Sequence, residues 1–304
     1  MVPQSVPEPH VAVVILNYNG LEDTLGCVRA LRSGTYKALS IIVIDNASKN
    51  SEGKMLATEL SDARVIVNME NSGFGAGCNQ GAAVAVASEA RFILFLNNDT
   101  IPDASMVREM VGVMRSNSNI ALCGARVLNA SPPHAVQCVG YRYSNWIGIP
   151  RIIGKDAPAG AKLEVGRLSW IMGCALMVST SFWRESGGFD PEFFLYWEDV
   201  LLCWQARQSG HLLKIAESAV VLHRKKVGSE FSRRHIYHMF YGQMRFSIKT
   251  AAWYQWPTLS FGLLIVAIGY AYFAYRHRGI NVLPLLLTAT RDAIRGSPQR
   301  HVEI

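Results

Sequence analysis

The residues of this chain that could do chemistry stand where apolar segments stop. Phe92-Ile93-Leu94-Phe95-Leu96 runs into Asn97-Asn98-Asp99, Ile41-Ile42-Val43-Ile44 ends at Asp45, and Ala219-Val220-Val221-Leu222 ends at His223. Apolar runs of this length, rich in β-branched and aromatic residues, suit strands buried on both faces of a parallel sheet. Polar groups at their carboxyl ends face the crevice where open α/β sheets bind ligands. Singly, Asp45 and Asp99 read as turn or helix-cap residues and His223 as a structural histidine. Together they read as a cation-and-phosphate corner. One carboxylate plus substrate phosphates is how magnesium is usually held, and manganese accepts an added imidazole. A second pair, Glu198-Asp199, follows Phe193-Phe194-Leu195-Tyr196-Trp197. Adjacent carboxylates can be plain charges at a helix N-terminus. An apolar nest also raises a carboxylate's pKa toward that of a general base.

The glycine run Gly73-Phe74-Gly75-Ala76-Gly77-Cys78-Asn79-Gln80-Gly81 lacks the spacing of a dinucleotide fingerprint and does not follow the first strand. It reads either as a loop capping a helix from Asn79 or as backbone that lets a phosphate or sugar approach closely. Nucleophilic catalysis has no support: Gly-x-Ser-x-Gly is absent, and no cysteine adjoins a histidine in a recognisable motif.

The elements that position these residues alternate. Strands are predicted at 11–16, 41–44, 65–67 and 92–96, and helices at 21–31, 51–60, 79–90 and 104–115. The order β-α-β-α-β-α-β implies a parallel sheet with right-handed crossovers. Residues 120–168 read as an irregular stretch covering a site. Short helices at 182–188 and 200–210 and a strand at 219–222 follow. Beyond these, 233–249 is a basic, aromatic, helix-compatible stretch, and 257–275 is free of charge and just long enough to cross a bilayer. Trp253, Tyr254 and Trp256 before it and Arg276-His277-Arg278 after it resemble interfacial anchors, although a buried core helix satisfies the same length argument. An apolar stub at 282–287, interrupted by Pro284, reads as interfacial.

Composition narrows the class. Half of the residues are hydrophobic and 17% charged, which excludes a disordered chain. The net charge of +7 gathers after position 205, including Arg224-Lys225-Lys226, Arg233-Arg234 and Arg245. Beside apolar segments, that bias points to anionic lipid or phosphate-bearing partners, and no nucleic-acid-binding signature is present. The 6 cysteines are scattered without a Cys-x-x-Cys pair. They imply neither a disulfide framework nor a zinc site, and favour a reducing, cytoplasmic location. Residues 1–9 read as a short disordered lead.

Several segments occur in a familiar order. They are Val13-Val14-Ile15-Leu16-Asn17-Tyr18-Asn19-Gly20, Val43-Ile44-Asp45-Asn46-Ala47-Ser48, Asn71 to Asn79, Leu96-Asn97-Asn98-Asp99-Thr100, Gly187-Gly188-Phe189-Asp190 through Trp197-Glu198-Asp199, and Val221-Leu222-His223. The chain resembles the family 2 inverting glycosyltransferases, in their bacterial rhamnosyltransferase-like group, over residues 10–230. The resemblance implies a GT-A fold, an α/β Rossmann-like and mostly parallel sheet flanked by helices; beyond it, residues 231–304 read from their own charge and hydropathy as a basic, apolar, membrane-associated helical region. It implies a nucleotide-diphosphate sugar donor touched by Asn17, Tyr18, Asp45, Gly75, Asn79, Asn98 and Asp99. It also implies a divalent cation, Mg2+ or Mn2+, held by Asp99 and His223. Asp199 would be the general base and Glu198 would orient it or the acceptor. Two positions depart from the family pattern: Asn97 stands where an Asp-x-Asp motif has its first acid, and Leu201 where another Asp is usual.

The leading reading is a metal-dependent inverting transferase. It would move a sugar, L-rhamnose among the candidates, onto a glycan or lipid-linked glycan at the cytoplasmic face of the plasma membrane, in cell-envelope polysaccharide synthesis. A catalytically inactive, membrane-tethered sugar-nucleotide-binding or scaffold protein is the alternative. A sugar-nucleotide nucleotidyltransferase would need a glycine-rich, Lys/Arg-bearing loop after the first strand, and Asn17-Tyr18-Asn19-Gly20 is not one.

Overall fold

A computed structural model describes residues 7–224 and 232–300. Lys225 and Lys226, and the 230/231 domain boundary, lie outside the described residues.

The N-terminal half builds in the expected order: β1 (Val11–Asn17), α1 (Leu21–Ser33), β2 (Leu39–Asp45), α2 (Glu52–Glu59), β3 (Arg64–Val67), α3 (Phe74–Ala87), β4 (Phe92–Asn97), β5 (Thr100–Pro102) and α4 (Met106–Ser116). Strands β3, β2, β1 and β4 are parallel neighbours. Along β1 the side chains alternate between two cores. Val11, Val13 and Ile15 pack with α1 and α4, while Ala12 and Val14 pack with α3. Burial on both faces is what a continuous apolar run requires.

The second half departs from expectation at 120–168. That stretch opens with the ten-residue strand β6 (Ile120–Asn129), followed by the short strands β7 (Val136–Cys138), β8 (Gly140–Arg142) and β9 (Arg151–Ile153). Gly124 and Arg126 interrupt its apolar reading. Gly124 is needed because Ile171 leaves no room for a Cβ, and Arg126 is buried with its guanidinium donating to the carbonyls of Ala159 and Ala161, both at 2.8 Å. Then come β10 (Ala175–Ser179), α5 (Thr180–Ser186), α6 (Glu198–Gln208) and β11 (Leu212–His223). Strand β10 enters antiparallel between β4 and β6, β11 runs parallel to β6, and β5 closes antiparallel on β11. The sheet is therefore mixed, and the antiparallel β5–β11 pairing sets His223 opposite Thr100, beside Asp99.

The chain ends in α7 (Arg233–Thr250), α8 (Trp256–Arg278) and α9 (Leu283–Arg295), which share a small core of their own. The stub at 282–287 is thus the first half of a longer helix, because Pro284 falls in its first turn, where a missing N–H costs nothing. Helix α7 is fixed to the sheet domain by Arg245, whose Nε and Nη2 donate to the Glu192 carboxylate at 2.7 and 3.0 Å, and by Lys249 at 2.7 Å from Asp190.

Candidate active site

The register of β1 and β2 places Asn17 directly opposite Asp45 at their carboxyl ends. Asn17 is wholly buried, and its amide nitrogen lies 2.8 Å from Asp45 Oδ1, 3.0 Å from Ser48 Oγ and 3.0 Å from Glu52 Oε2. Its carbonyl oxygen accepts from Thr24 Oγ1 at 2.7 Å, and Thr24 in turn accepts from Asn98 Nδ2 at 3.0 Å. Asn46, also buried, accepts from Asn68 and Ser72 and donates to Asn71 Oδ1 and the Gly73 carbonyl. One hydrogen-bonded mesh therefore ties the ends of β1, β2 and β4 to the turn before α3. Tyr18 stands at its edge, 39% exposed, with the Arg234 guanidinium 5.7 Å from its ring centroid. Such a cation–π contact holds the ring and the charge together at the crevice mouth.

Three expected contact residues spend their groups on the protein itself. Asp45 is enclosed, with Oδ2 accepting from Ser48 N at 3.3 Å and Gly53 packed over it. The glycine run is not a loop: Gly75, Gly77 and Gly81 lie inside α3. Gly75 packs under Phe189 and Glu198, while Leu16 and Val14 leave no room for a Cβ at Gly77 or Gly81. Asn79 clasps the backbone of Phe189, donating to its carbonyl at 2.8 Å and accepting from its N–H at 3.0 Å. These residues dock α3 closely on β1 and fix the segment that leads to Glu198.

Asp99 and His223 meet where β5 and β11 begin and end. Asp99 Oδ1 lies 3.3 Å from His223 Nε2, yet it is buried without a hydrogen-bond partner among the described residues. His223 Nδ1 is 3.0 Å from Gln137 Oε1. An amide oxygen only accepts, so with that contact Nδ1 carries a proton and Nε2 is the ring nitrogen turned toward the carboxylate. A carboxylate oxygen and an imidazole nitrogen side by side are a donor pair of the kind a hard divalent cation accepts. Among the described residues no group of three or more His, Cys, Asp or Glu side chains is assembled.

Asp199 and Glu198 open α6 behind two consecutive residues in left-handed backbone, Tyr196 at φ 66° and Trp197 at φ 74°. For bulky residues that conformation is strained, and such strain gathers at functional sites. Asp199 Oδ2 accepts from Gly173 N at 2.7 Å, and Oδ1 from Val200 N at 2.8 Å. Burial nonetheless raises its pKa to about 6, the backbone donors opposing it. Glu198 is 5% exposed with Oε2 unpartnered, and burial, then the neighbouring Asp199, pushes its pKa well above the carboxylate range. The two titrate as a pair, and the geometry divides the roles: Asp199, with its backbone donors, takes the charge, and Glu198 keeps the proton.

The two corners are joined through one backbone step. Gly173 donates to Asp199, and the carbonyl of the next residue, Cys174, accepts from Asn97 N at 2.9 Å. The Cys174 thiol between them is pushed well above its ordinary pKa, chiefly by burial, so it is no nucleophile. Sequence reasoning missed Thr24, Asn46, Ser48, Glu52, Gln137, Tyr196 and Arg234. Asn46 and Ser48 adjoin Asp45 and could have been found; Arg234 lies on a stretch read as basic and helical but given no role at the site, and Gln137 arrives from a strand with no local signal.

The sequence profile of glycosyl transferase family 2 matches residues 12–137. The chain is 26% identical over 215 residues to an O-antigen chain rhamnosyltransferase of Salmonella typhimurium, covering 70% of this chain and 66% of that protein. It is 24% identical over 215 residues to a low-salt glycan biosynthesis hexosyltransferase of Haloferax volcanii, covering 69% and 65%. The match thus spans just under two thirds of the length of either relative. Among solved structures, GalNAc-T7 with UDP, GalNAc and Mn2+ superposes with a TM-score of 0.63 at 14% identity, over 94% of this chain and 54% of that one, a likeness of fold. Residues 12–137 thus carry a segment of the family 2 glycosyltransferase type, the chain is similar to rhamnosyltransferases and hexosyltransferases, and its fold is that of the GT-A structures.

Proposed function

We propose that this protein is an inverting glycosyltransferase that uses a divalent cation. It would take a sugar, L-rhamnose or another hexose, from a nucleotide diphosphate and place it on a glycan or lipid-linked glycan at the cytoplasmic face of the membrane. The observation that carries this reading is the pairing of Asp99–His223 and Asp199 on either side of the Gly173-Cys174 step. The names of the relatives, a rhamnosyltransferase and a hexosyltransferase of glycan assembly, support the sugar class and the envelope setting.

In this reading Tyr18 flanks the nucleotide, Asn98 lines the diphosphate side, and Asn17, Asp45, Gly75 and Asn79 position the elements that form the pocket. Asp99 and His223 would hold Mg2+ or Mn2+, which neutralises charge on the leaving diphosphate. Asp199 accepts the proton of the acceptor hydroxyl as its oxygen bonds to the anomeric carbon, and the carbon–diphosphate bond breaks on the opposite face. A single displacement inverts the configuration and needs no enzyme nucleophile. Glu198, protonated, orients the acceptor with its remaining O–H.

The test is a panel of sugar nucleotides incubated with the purified chain, with and without Mn2+ or Mg2+, followed by product release and anomeric configuration. Cation-dependent release of nucleoside diphosphate from one member, with an inverted product once acceptor is added, is the expected result. Binding of sugar nucleotide without turnover of any member, acceptor present, would sink the proposal.

A further inference from the structure

Helix α8 passes the length and hydropathy test for a membrane span, with mean hydropathy 1.6 and 22% of its apolar window buried. Its packing argues against crossing. Near its start, Leu259 and Leu263 are buried beside Gly148, and the Ile147 carbonyl leaves no space for a side chain at Gly262. Near its end, Ala274 is fully buried in the cluster of Ile236, Tyr237 and Phe240 from α7 with Leu286 and Ala289 from α9. Leu259 and Ala274 lie ~22 Å apart along an α-helix at about 1.5 Å per residue. Helix α7 is itself bound to the sheet domain through Glu192 and Asp190. A spanning helix leaves the soluble body at one end, whereas this one touches it at both.

The face turned away from these contacts is apolar. Phe261, Leu264, Ile265, Ile268, Tyr272 and Phe273 are 44–66% exposed, and the surface continues onto Leu283 and Leu287 of α9. At one end Trp146, 50% exposed, packs on Tyr254 at 5.7 Å, with Trp253 beside it 84% exposed. At the other end stand Arg276, His277 and Arg278. Apolar side chains between an aromatic cluster and a basic one match the layers of a bilayer surface with anionic headgroups.

We propose that α8, α9 and the Trp146–Ile147 turn form a monotopic docking platform on which the protein lies in the plane of an anionic bilayer, without crossing it. This rests on, and deepens, the membrane setting proposed above. It also orients the site. Trp197, next to Glu198, contacts the Tyr143 ring at 5.9 Å, and the chain from Tyr143 to Trp146 reaches at most about 10 Å. The general-base corner therefore lies close to the interface, where a lipid-linked sugar would stand.

The experiment uses the full chain in sealed inside-out vesicles, with Trp253→Cys and Arg276→Cys probed separately by a membrane-impermeant maleimide; the native cysteines are all buried. In-plane docking predicts that both positions are labelled from the cytoplasmic side and that alkaline carbonate releases the protein. Labelling of only one, with carbonate resistance, would show a spanning helix and overturn the proposal while leaving the membrane setting intact. Failure of the intact chain to float with phosphatidylglycerol-containing vesicles would remove the membrane setting itself. Phe261→Glu with Ile268→Glu is expected to lower flotation by about tenfold or more at unchanged thermal midpoint; unaltered flotation would place the docking surface elsewhere.

Discussion

The two walls of the crevice are held by opposite means. The wall built from β1, β2 and α1 is a closed mesh, in which the Asn17 amide and the Thr24 hydroxyl are saturated by Asp45, Ser48, Glu52 and Asn98. The wall at α6 is left under tension: two left-handed residues precede it, Glu198 Oε2 has no partner, and burial displaces the titration of both carboxylates. A saturated network preorganises a binding surface at no electrostatic cost, but it cannot move a proton. A base that works near neutral pH has to be held where its charge is uncomfortable. In the proposed function, binding and chemistry are thus separated between the start of the chain and residues nearly two hundred positions later.

The sharpest way to break the comparison is Asp199→Asn. Transfer should fall by about 10²–10⁴-fold, the range for losing a general base, while titration shows sugar-nucleotide affinity nearly unchanged. Turnover within a few-fold of the native rate would mean that the α6 wall is not the catalytic one. With the base intact, the transfer rate should rise with pH through a limb near 6, since Asp199 must be ionised to act. The sign for stability is the reverse. A carboxyl whose folded pKa is raised favours the protonated native state, so folding stability falls as pH climbs from the ordinary carboxylate range through about 6. Asp199→Asn should therefore melt higher than the native chain at pH 8, by differential scanning calorimetry, and lose that advantage near pH 4.

Asp99→Ala and His223→Ala come next. Each should weaken Mn2+-assisted binding of nucleoside diphosphate by about 10–100-fold, with little effect on binding measured in chelator. Equal losses with and without metal would reassign the pair to structure. On the saturated wall, Asn17→Ala should act on stability, lowering it by about 2–3 kcal/mol in urea unfolding, because it strips partners from the buried Asp45 and from Glu52. A drop in turnover without a drop in stability would contradict the division drawn here. The smallest expected effect is His238→Phe. His238 is fully buried against Phe194 with neither ring nitrogen partnered among the described residues, and burial lowers its pKa to about 3. Replacing it with an apolar ring should raise stability by about 1 kcal/mol, on the argument that unsatisfied buried groups destabilise.

The saturated wall was the more legible in sequence. Its strands are short apolar runs that stop at a polar residue, and parallel pairing turns such stops into neighbours, as with Asn17 and Asp45. The local pattern of 120–168 misled for a physical reason: β6 carries a glycine that Ile171 demands and an arginine whose charge is met by backbone carbonyls. Neither partner is visible from the strand itself. Nor could spacing show that Asn79 serves Phe189, 110 residues away, or that Gln137 meets His223. Glu198 and Asp199 were legible as residues, from their aromatic surroundings, but the left-handed backbone that presents them was not.

The three glycines of α3 bear on engineering. Replacing helical glycine by alanine is a routine route to a sturdier protein, since alanine has the higher helix propensity and narrows the unfolded ensemble. Here it would misfire at Gly77 and Gly81, where the added methyl has nowhere to go but into Leu16 and Val14 on the central strand. The strand it would displace ends at Asn17. A change meant to harden the molecule would instead lever open the pocket wall, and a thermostabilised variant of this chain should be sought on helices α1 and α4, away from that contact.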